Sequence, residues 1–403
     1  MVNSMEATAP LGGAALRAAT SPALARMRLD SIDLLRGVVM ALMVLDHTRD
    51  FVGASSLNPR DVSEPVLFLT RWITHFCAPV FVLLAGVSAF LYGSRGRNTR
   101  ELSAFLFTRG LWLVLLEMTV VRLGWTFSLR PEFLLFQVIW AIGASMVVLS
   151  ALVRLPRRAI LAIGLAMVLG HNALDGIRAE QVGWAWHFLH QPELLRPAEG
   201  LQIFALYPLI PWAGVMALGY ALGPVMLLAL DARRRRLLAL GAATTLGFVV
   251  LRLTNLYGDP ALWAAQDGEL ATALAFINCE KYPPSLLYLA MTLGPALMIL
   301  AVAERARGAA AQAIVTIGRV PMIFYVAHIF LLHAIAVLVA QAWFGEAAWL
   351  FQGLPIISKP DGYGFSLPVV YVVWLAAVAA LYPICRWFAA LKQRRGDWWL
   401  SYL

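Results

Sequence analysis

Long apolar segments alternate with short polar segments along almost the whole chain. Ten of the apolar segments are candidate membrane-spanning helices, each of which needs about 17–25 residues; the third and the fifth reach that length only with flanking polar residues. Their approximate cores are 34–52, 66–92, 109–121, 133–153, 159–171, 203–230, 237–254, 283–303, 310–342 and 366–390. Pro321 predicts a kink inside the ninth segment. The pattern predicts an all-α, polytopic integral membrane protein with about ten transmembrane helices.

Composition supports this fold class and argues against a set of soluble domains. Hydrophobic residues make up 61% of the 403 residues and charged residues 14%, whereas soluble proteins carry roughly 25% charged residues. Residues 1–28 are rich in Ala, Gly, Ser and Arg and lack the apolar segment of a cleaved signal peptide. We therefore expect a disordered cytoplasmic tail at 1–28 and a single transmembrane domain over 29–403.

The basic residues predict the orientation of the chain. They concentrate in the tail and in short segments on one side, including 95–100, 154–158, 233–236 and 392–395. Such a bias marks the cytoplasmic loops of membrane proteins. The protein is therefore expected in the cell (inner) membrane, with both termini on the cytoplasmic side. Anionic lipid is a sufficient partner for the net charge of +9, and no nucleic-acid partner is expected.

The loops on the predicted outer side are the long ones, at about 172–202, 255–282 and 343–365. They are rich in Trp, Pro and Gly, and the first contains His187 and His190. Long aromatic loops on one face are typical of a lid or an acceptor-binding surface. Tryptophans at the headgroup belt would explain the same composition.

Four ionisable residues cluster near the end of the first predicted span: Asp46, His47, Arg49 and Asp50. A charge at the bilayer centre costs at least about 2.5–3.5 kcal/mol, so such residues usually face the protein interior and serve a function. Spacing of i,i+3 predicts that Asp46 pairs with Arg49 and His47 with Asp50. A carboxylate on one imidazole nitrogen would leave the other as a general base. A purely structural Asp46–Arg49 tether is an open alternative.

Polar residues on other predicted helices can join this cluster in one outward-leaning cavity. Arg71 and His75 are four residues apart and share a helix face, and Tyr325 and His328 share another. His75 and His328 are therefore candidate catalytic residues beside the helix-1 cluster. Each histidine has an alternative role as a neutral core residue that only hydrogen bonds a neighbouring helix.

Several well-known motifs are missing from the sequence. It has no GxSxG elbow, Walker A loop or GxGxxG signature, which argues against an α/β-hydrolase, an ATP-driven pump and a Rossmann dehydrogenase. Three histidines from different helices could bind zinc, but no HxH, HExxH or DxH pattern supports it, and no metal is expected. Cys77, Cys279 and Cys385 have no paired spacing and are expected to be isolated thiols.

Six segments of the chain together suggest a family. RLDSIDLLRGVVMALMVLDHTRDF and HFCAPVFVLLAGVSAFLYG open the transmembrane region, and YPLIPWAGVMALGYALG, KYPPSLLYLAMTLGPAL, GRVPMIFYVAHIFLLHA and DGYGFSLPVVYVVW follow. They resemble the catalytic transmembrane domain of heparan-α-glucosaminide N-acetyltransferase and its bacterial relatives, formerly a domain of unknown function. The broader superfamily of transmembrane acyltransferases shares the arrangement of the first two segments.

The resemblance implies that an acetyl group moves from cytoplasmic acetyl-CoA to an amino sugar on the opposite side of the membrane. Relatives carry an Asn at the outer end of the first helix and a His just after it. Here His47 occupies the position of that Asn, and the following loop TRDFVGASSLNPRD contains no histidine. The resemblance therefore leaves His47, helped by His75, as the substitute base.

Acyl transfer from a thioester also needs an oxyanion stabiliser and a site for coenzyme A. Arg49 or Arg71 could stabilise the oxyanion. Candidate acyl-CoA-binding residues are Arg36 with its neighbour Asp33, Arg71, Arg109 and Arg319. An Arg36–Asp33 tether would explain that pair equally well.

The leading hypothesis is an acyl-CoA-dependent N- or O-acetyltransferase that acts on an amino sugar or envelope glycan. Its rival is a proton-coupled transporter or flippase with Asp46, His47, Asp50 and His328 as a proton relay. A non-catalytic membrane scaffold is a third possibility, and the sequence leaves a homodimer open.

Overall fold

The computed structural model describes residues 29–130, 132–395, 397 and 400. The predicted cytoplasmic tail at 1–28 lies outside the described residues. The described chain is mostly helical and carries little sheet.

The α-helices of the described residues are, in chain order, α1 (Asp30–Val52), α2 (Pro65–Thr74), α3 (Cys77–Gly93), α4 (Thr99–Leu116), α5 (Arg122–Thr126), α6 (Val138–Leu152), α7 (Arg157–Gly170), α8 (Ala179–Val182), α9 (Trp186–Leu189), α10 (Leu209–Leu222), α11 (Leu230–Thr254), α12 (Glu269–Ile277), α13 (Leu286–Ala303), α14 (Ala309–Gly318), α15 (Pro321–Val339), α16 (Pro355–Ser358) and α17 (Leu367–Arg394). Two π-helical segments continue longer helices, Glu117–Val121 between α4 and α5 and Ala340–Phe344 after α15. Short 3-10 segments cover His171–Leu174, Gly223–Leu227 and Ala348–Phe351.

Seven helical segments of the described chain are long and apolar enough to cross a membrane: Pro65–Gly93, Thr99–Thr126, Leu209–Leu227, Leu230–Thr254, Leu286–Ala303, Pro321–Phe344 and Leu367–Arg394. They correspond to seven of the ten predicted spans. The other three predicted spans correspond to α1, α6 and α7. Helix α1 has 23 residues but carries charges at both ends, whereas α6 has 15 residues and α7 has 14. The fold is thus a multi-pass helical membrane protein, and the count of ten spans stays a prediction.

The prediction of one kinked helix over 310–342 is wrong. Helix α14 ends at Gly318, and α15 begins at Pro321, the first residue of the new helix. A proline has no N–H to donate to the preceding turn, but it fits the first helical position, so it separates two helices here.

Helix 66–92 is likewise divided, with His75 and Phe76 between α2 and α3. Pro79 has no N–H to donate to the carbonyl of His75 four residues earlier. The Tyr288 hydroxyl of α13 donates to that carbonyl instead, at 2.8 Å. Pro79 therefore leaves the His75 carbonyl without its helical hydrogen bond, and Tyr288 of α13 supplies the replacement.

The all-α prediction misses a small three-stranded sheet. It consists of β1 (Phe133–Phe136), β2 (Glu193–Ala198) and β3 (Leu201–Ala205), in the order β1-β3-β2. Strand β3 pairs parallel with β1 and antiparallel with β2, and Gly200 at φ 76° lies in the tight turn between β2 and β3. A four-residue apolar run such as FLLF fits a strand or a buried helix equally, so periodicity alone could not distinguish them.

Helix α1 lies at the centre of the fold and packs against α3, α13, α14, α15 and α17. Two glycines allow its closest contact: a Cβ at Gly37 would collide with the Ile314 carbonyl of α14, and a Cβ at Gly318 with the Asp33 carbonyl of α1. Small residues at such crossings are typical of membrane helix packing. The contact fixes the end of α1 that carries Arg36, called here the Arg36 end.

The opposite end of α1, called the His47 end, is held by the segment 359–365. Phe365 accepts from Ala54 N–H and donates its own N–H to the Val52 carbonyl, both at 2.9 Å. The Lys359 ammonium donates to the Gly53 carbonyl at 2.8 Å and to the Arg49 carbonyl at 3.4 Å. A cation at this position satisfies carbonyls that a helix C-terminus leaves unpaired.

Candidate active site

Two histidines from distant parts of the chain meet at the His47 end of α1. His47 Nδ1 lies 2.7 Å from Nε2 of His328 on α15, and the two rings are nearly parallel, with centroids 5.0 Å apart. His328 is fully buried, whereas His47 is partly exposed. The structure therefore brings together two of the predicted catalytic histidines, with His47 on the accessible side.

The hydrogen bonds of this pair define its neutral tautomer. His328 Nδ1 lies 3.1 Å from the Phe324 carbonyl, which can only accept, so that nitrogen carries the proton. The Nε2 of His328 must then accept a hydrogen bond from Nδ1–H of His47. Nε2 of His47 consequently keeps its lone pair, and no hydrogen bond to it exists among the described residues. It is the nitrogen that can take a proton from an acceptor.

Aromatic rings enclose the pair on one side. The Trp125 ring meets His47 edge-on at 4.8 Å and stacks on Phe51 at 5.2 Å. His333, five residues beyond His328, packs against Phe51 and donates from Nδ1 to the Gly124 carbonyl at 2.9 Å. His333 is thus part of the wall, and the structure places it outside the His47–His328 hydrogen bond.

The acids beside His47 are bound to arginine rather than to the imidazole. Arg49 is 2.6 Å from Asp46 and 3.2 Å from Asp50. The predicted Asp46–Arg49 pair is confirmed. The predicted His47–Asp50 pair is wrong, because the guanidinium next to Asp50 takes its carboxylate and leaves His47 Nδ1 to His328.

A second polar group, formed by Arg71 and His75, adjoins this cluster through Lys281. Its ammonium lies 3.8 Å from Asp46 and 5.1 Å from the centre of the Tyr282 ring. His75 lies within electrostatic range of Asp46, Lys281 and Arg71. The predicted neighbours Arg71 and His75 therefore lie near the helix-1 acids.

Both side chains of this second group are buried without the partners one would expect. Neither ring nitrogen of His75 has a hydrogen-bond partner in the described part of the chain. Arg71 is 9% exposed, and no carboxylate among the described residues lies within ion-pair distance of it. A buried cation without an acid is costly unless a ligand supplies the negative charge. Arg71 is therefore positioned to meet an anionic group.

The Arg36 end of α1 holds a separate ionic network. Arg36 bonds Asp33 at 3.0 Å, the Gly318 carbonyl at 3.2 Å and the Ser88 hydroxyl at 3.1 Å. Arg319 pairs with Asp30 at 2.9 Å and lies 3.9 Å from Asp33. These contacts agree with the tether interpretation of Arg36. Arg109 on α4 lies 5.9 Å from the centre of the Phe105 ring.

A cavity of about 510 Å³ opens at this same end. Its lining includes Asp30, Arg233, Glu304 and Arg307. Arg233 is tied to Glu304 by an ion pair of 2.6 Å. Arg307 is exposed and its NH1 donates only to backbone carbonyls among the described residues. The cavity thus offers a basic side chain next to apolar walls.

Other buried polar residues have structural contacts. Buried Glu117 accepts from the Trp140 N–H at 2.9 Å and caps the first turn of α6. Arg252 donates to carbonyls of Ala261, Phe276 and Asn278. The three cysteines are free and buried, as predicted.

Three residues at the His47 end of α1, Lys281, Lys359 and Trp125, are not predicted from the sequence. The two lysines belong to loops whose position depends on the tertiary fold, so spacing along the chain carried no signal for them. Trp125 follows the π-helical segment Glu117–Val121, and such segments are frequent at functional sites.

Comparison with known proteins gives one match and one negative result. Residues 28–255 match the family described as "Heparan-alpha-glucosaminide N-acetyltransferase, catalytic". No curated protein matches the chain at a significant level. The matched range contains the helix-1 cluster, Arg71 and His75, whereas His328 and Lys281 lie beyond it. Because the match covers more than half of the chain, this protein belongs to the heparan-α-glucosaminide N-acetyltransferase catalytic-domain family of membrane acetyltransferases.

Proposed function

We propose that this protein transfers an acetyl group from acetyl-CoA, bound from the cytoplasmic side, to an extracytoplasmic amino sugar or envelope glycan. The observation that carries the proposal is the His47–His328 hydrogen bond, which leaves Nε2 of His47 unprotonated at the end of a buried helix. The family match supports acetyl transfer and gives no support to the transporter alternative.

In the proposed reaction, His47 acts as general base. Its Nε2 takes a proton from the acceptor amine or hydroxyl while that nitrogen or oxygen attacks the thioester carbonyl carbon. The carbon–sulfur bond then breaks, and the proton on His47 passes to the departing thiolate of coenzyme A. His328 does not touch the substrate; it orients His47 and shares the positive charge that forms.

Arg71 is the better candidate for the oxyanion. Arg49 already binds two carboxylates, so little of its charge is available to a substrate. Arg71 has no carboxylate within ion-pair distance among the described residues and lies within electrostatic range of Asp46 and Lys281. Desolvated donors of this kind stabilise developing negative charge most effectively. His75 and Asp46 would position this group.

The Arg36 end is the proposed entrance for acyl-CoA. Arg36 and His47 are separated by about 16 Å along α1 at the rise of an α-helix, which is comparable to an extended pantetheine arm. The phosphates would meet the cavity that Arg233 and Arg307 line, next to Arg36, Asp33 and Arg319. Arg109 on α4 stays a weaker candidate.

This arrangement agrees with the predicted orientation, in which ten spans place both termini in the cytoplasm. The basic segments 95–100, 154–158, 233–236 and 392–395 then share the side of the Arg36 end. His47 would face the opposite side, where a glycan acceptor is found. The proposed location is the cell (inner) membrane.

The test uses full-length protein in detergent, with acetyl-CoA and an amino sugar such as glucosamine. We expect acetyl-CoA to raise the melting temperature and the acceptor to cause thiol release. His47→Ala should lower thiol release by about 10²–10⁴-fold, the usual contribution of a general base, and keep the thermal shift. If folded wild-type protein shows no rise in melting temperature at millimolar acetyl-CoA, acetyl-CoA is not the donor. If His47→Ala keeps the turnover of the wild type, His47 is not the general base.

A further inference from the structure

A compact group of metal-type ligands lies away from the candidate active site. His171 belongs to the 3-10 turn after α7, Asp175 directly follows that turn, and His190 follows α9. Each residue offers one ligand atom, and these atoms lie within 4.8 Å of one another. Because two of the ligands are far from the third in sequence, no short motif indicated the group.

The histidine nitrogens in this group are buried without partners. His171 is 1% exposed and His190 2% exposed. Both ring nitrogens of His171, and Nδ1 of His190, have no hydrogen-bond partner among the described residues. Buried polar atoms are almost always paired, so unpaired histidine nitrogens in so compact a group indicate an additional ligand.

The carboxylate holds one histidine in the orientation that a metal site needs. His190 Nε2 lies 2.9 Å from Asp175 Oδ1, so Nε2 is the donor and the Nδ1 lone pair is free. Asn172 donates to the other oxygen of Asp175 at 2.9 Å. A histidine that donates its second nitrogen to a carboxylate is the usual arrangement of metal-binding imidazoles.

We propose that His171, Asp175 and His190 bind a divalent transition-metal ion, with Zn²⁺ as the best match. Two imidazoles and a carboxylate are a donor set that zinc accepts, with water in the fourth position. Asp175 would either bind the ion as the third ligand or orient His190 by accepting its Nε2–H. The proposal is independent of the acetyltransferase reaction.

The expected role of the ion is to attach the loop of α8 and α9 to the helical bundle. Asn172, beside His171, accepts from the Leu286 N–H at 2.8 Å and so binds this turn to the start of α13. Lys281, a few residues before α13, lies 3.8 Å from Asp46 of the helix-1 cluster. An ion between residues 171 and 190 would close the loop between them and reduce its freedom.

The test measures metal binding directly and needs no activity. Full-length protein in detergent is stripped with a chelator, exchanged into chelator-free buffer, and titrated with ZnCl₂ or CoCl₂. We expect close to one zinc ion per chain, a higher melting temperature with zinc, and the visible absorption of Co²⁺ in a low-symmetry nitrogen and oxygen site. His171→Ala and His190→Ala should each lose all three signals.

His187→Ala is the matched control. His187 lies three residues before His190 and is also buried, but its Nδ1 lies 3.2 Å from Glu193 outside the cluster. This variant should bind zinc as the wild type does. Folded wild-type protein that binds no zinc overturns the proposal without any variant. Equal zinc binding in His171→Ala, or its loss in His187→Ala, would also overturn it.

Discussion

His47 on α1 and His328 on α15 share a 2.7 Å hydrogen bond, although 281 residues separate them in the sequence. The bond joins the part of the chain that matches the acetyltransferase family to a helix outside the matched residues. Because the Phe324 carbonyl fixes the proton on His328 Nδ1, the second helix determines which nitrogen of His47 is free.

Removal of His328 should weaken the reaction without removing the base. In His328→Ala, His47 loses the acceptor of its Nδ1–H and can adopt the other tautomer. We expect kcat to fall about 10- to 100-fold, part of the full effect of a general base. His328→Gln keeps an acceptor oxygen and should recover part of the loss. The measurement is steady-state thiol release, with KM for acetyl-CoA unchanged.

His333→Phe is the control on the same helix. His333 stacks on Phe127 at 3.8 Å, and a phenyl ring can keep that stacking. The variant loses the hydrogen bond to the Gly124 carbonyl, so a modest loss of stability is expected with turnover retained. A fall in turnover as large as that of His328→Ala would indicate that the wall, and not the histidine pair, controls the rate.

Arg71 and Arg252 should respond oppositely to replacement by Met. Arg71→Met removes a buried charge that has no acid partner among the described residues, so stability should not fall, whereas kcat/KM should fall at least about 10-fold through lost oxyanion stabilisation. Arg252→Met leaves several carbonyls unpaired and should lower the free energy of unfolding by about 2 kcal/mol or more. Melting curves and turnover are measured on both variants. The reverse pattern would assign Arg71 a structural role.

Much of the fold follows from the sequence because long apolar segments have few alternatives in a membrane. Seven predicted spans correspond to helices of suitable length. The errors fall where local patterns are ambiguous: the FLLF segment forms β1, and Pro321 separates two helices instead of bending one. Pairing with β3 decides the first outcome, and the missing N–H of Pro321 at the first position of α15 decides the second.

The sequence predicts part of the candidate site and one of its pairs. The charges of the first helix identified Asp46, His47, Arg49 and Asp50, and their helical spacing correctly paired Asp46 with Arg49. Spacing along the chain could not show that His47 would hydrogen bond His328 on another helix. The contacts of Lys281 and Lys359 depend on how their loops pack against α1, and the hydrophobic periodicity of the sequence does not predict that packing.

The crossing of α1 and α14 should be highly sensitive to a single methyl group. Gly318→Ala places a Cβ against the Asp33 carbonyl, and overpacking of this kind costs about 1–3 kcal/mol. Because this crossing positions Arg36, KM for acetyl-CoA should also rise. Gly247→Ala on α11 is the control: its Cβ would meet no atom within 4 Å, so both stability and KM should be kept. Equal effects of the two variants would mean that the crossing does not position Arg36.

Lys359 should give the protein a pH dependence of stability above neutral pH. Burial lowers the pKa of Lys359 to about 8, although Asp50 opposes the shift. An unfolded lysine titrates near 10.4, so between about pH 8 and pH 10 the unfolded chain binds the proton and the folded chain does not. Stability from this group therefore rises with pH across that window.

In Lys359→Gln the rise is removed, and the melting temperature of the wild type relative to the variant should increase from pH 8 to pH 10. Lys359→Arg stays charged throughout and should not show the rise. A wild-type advantage over Lys359→Gln that is constant with pH would show that Lys359 keeps its proton when it holds the end of α1.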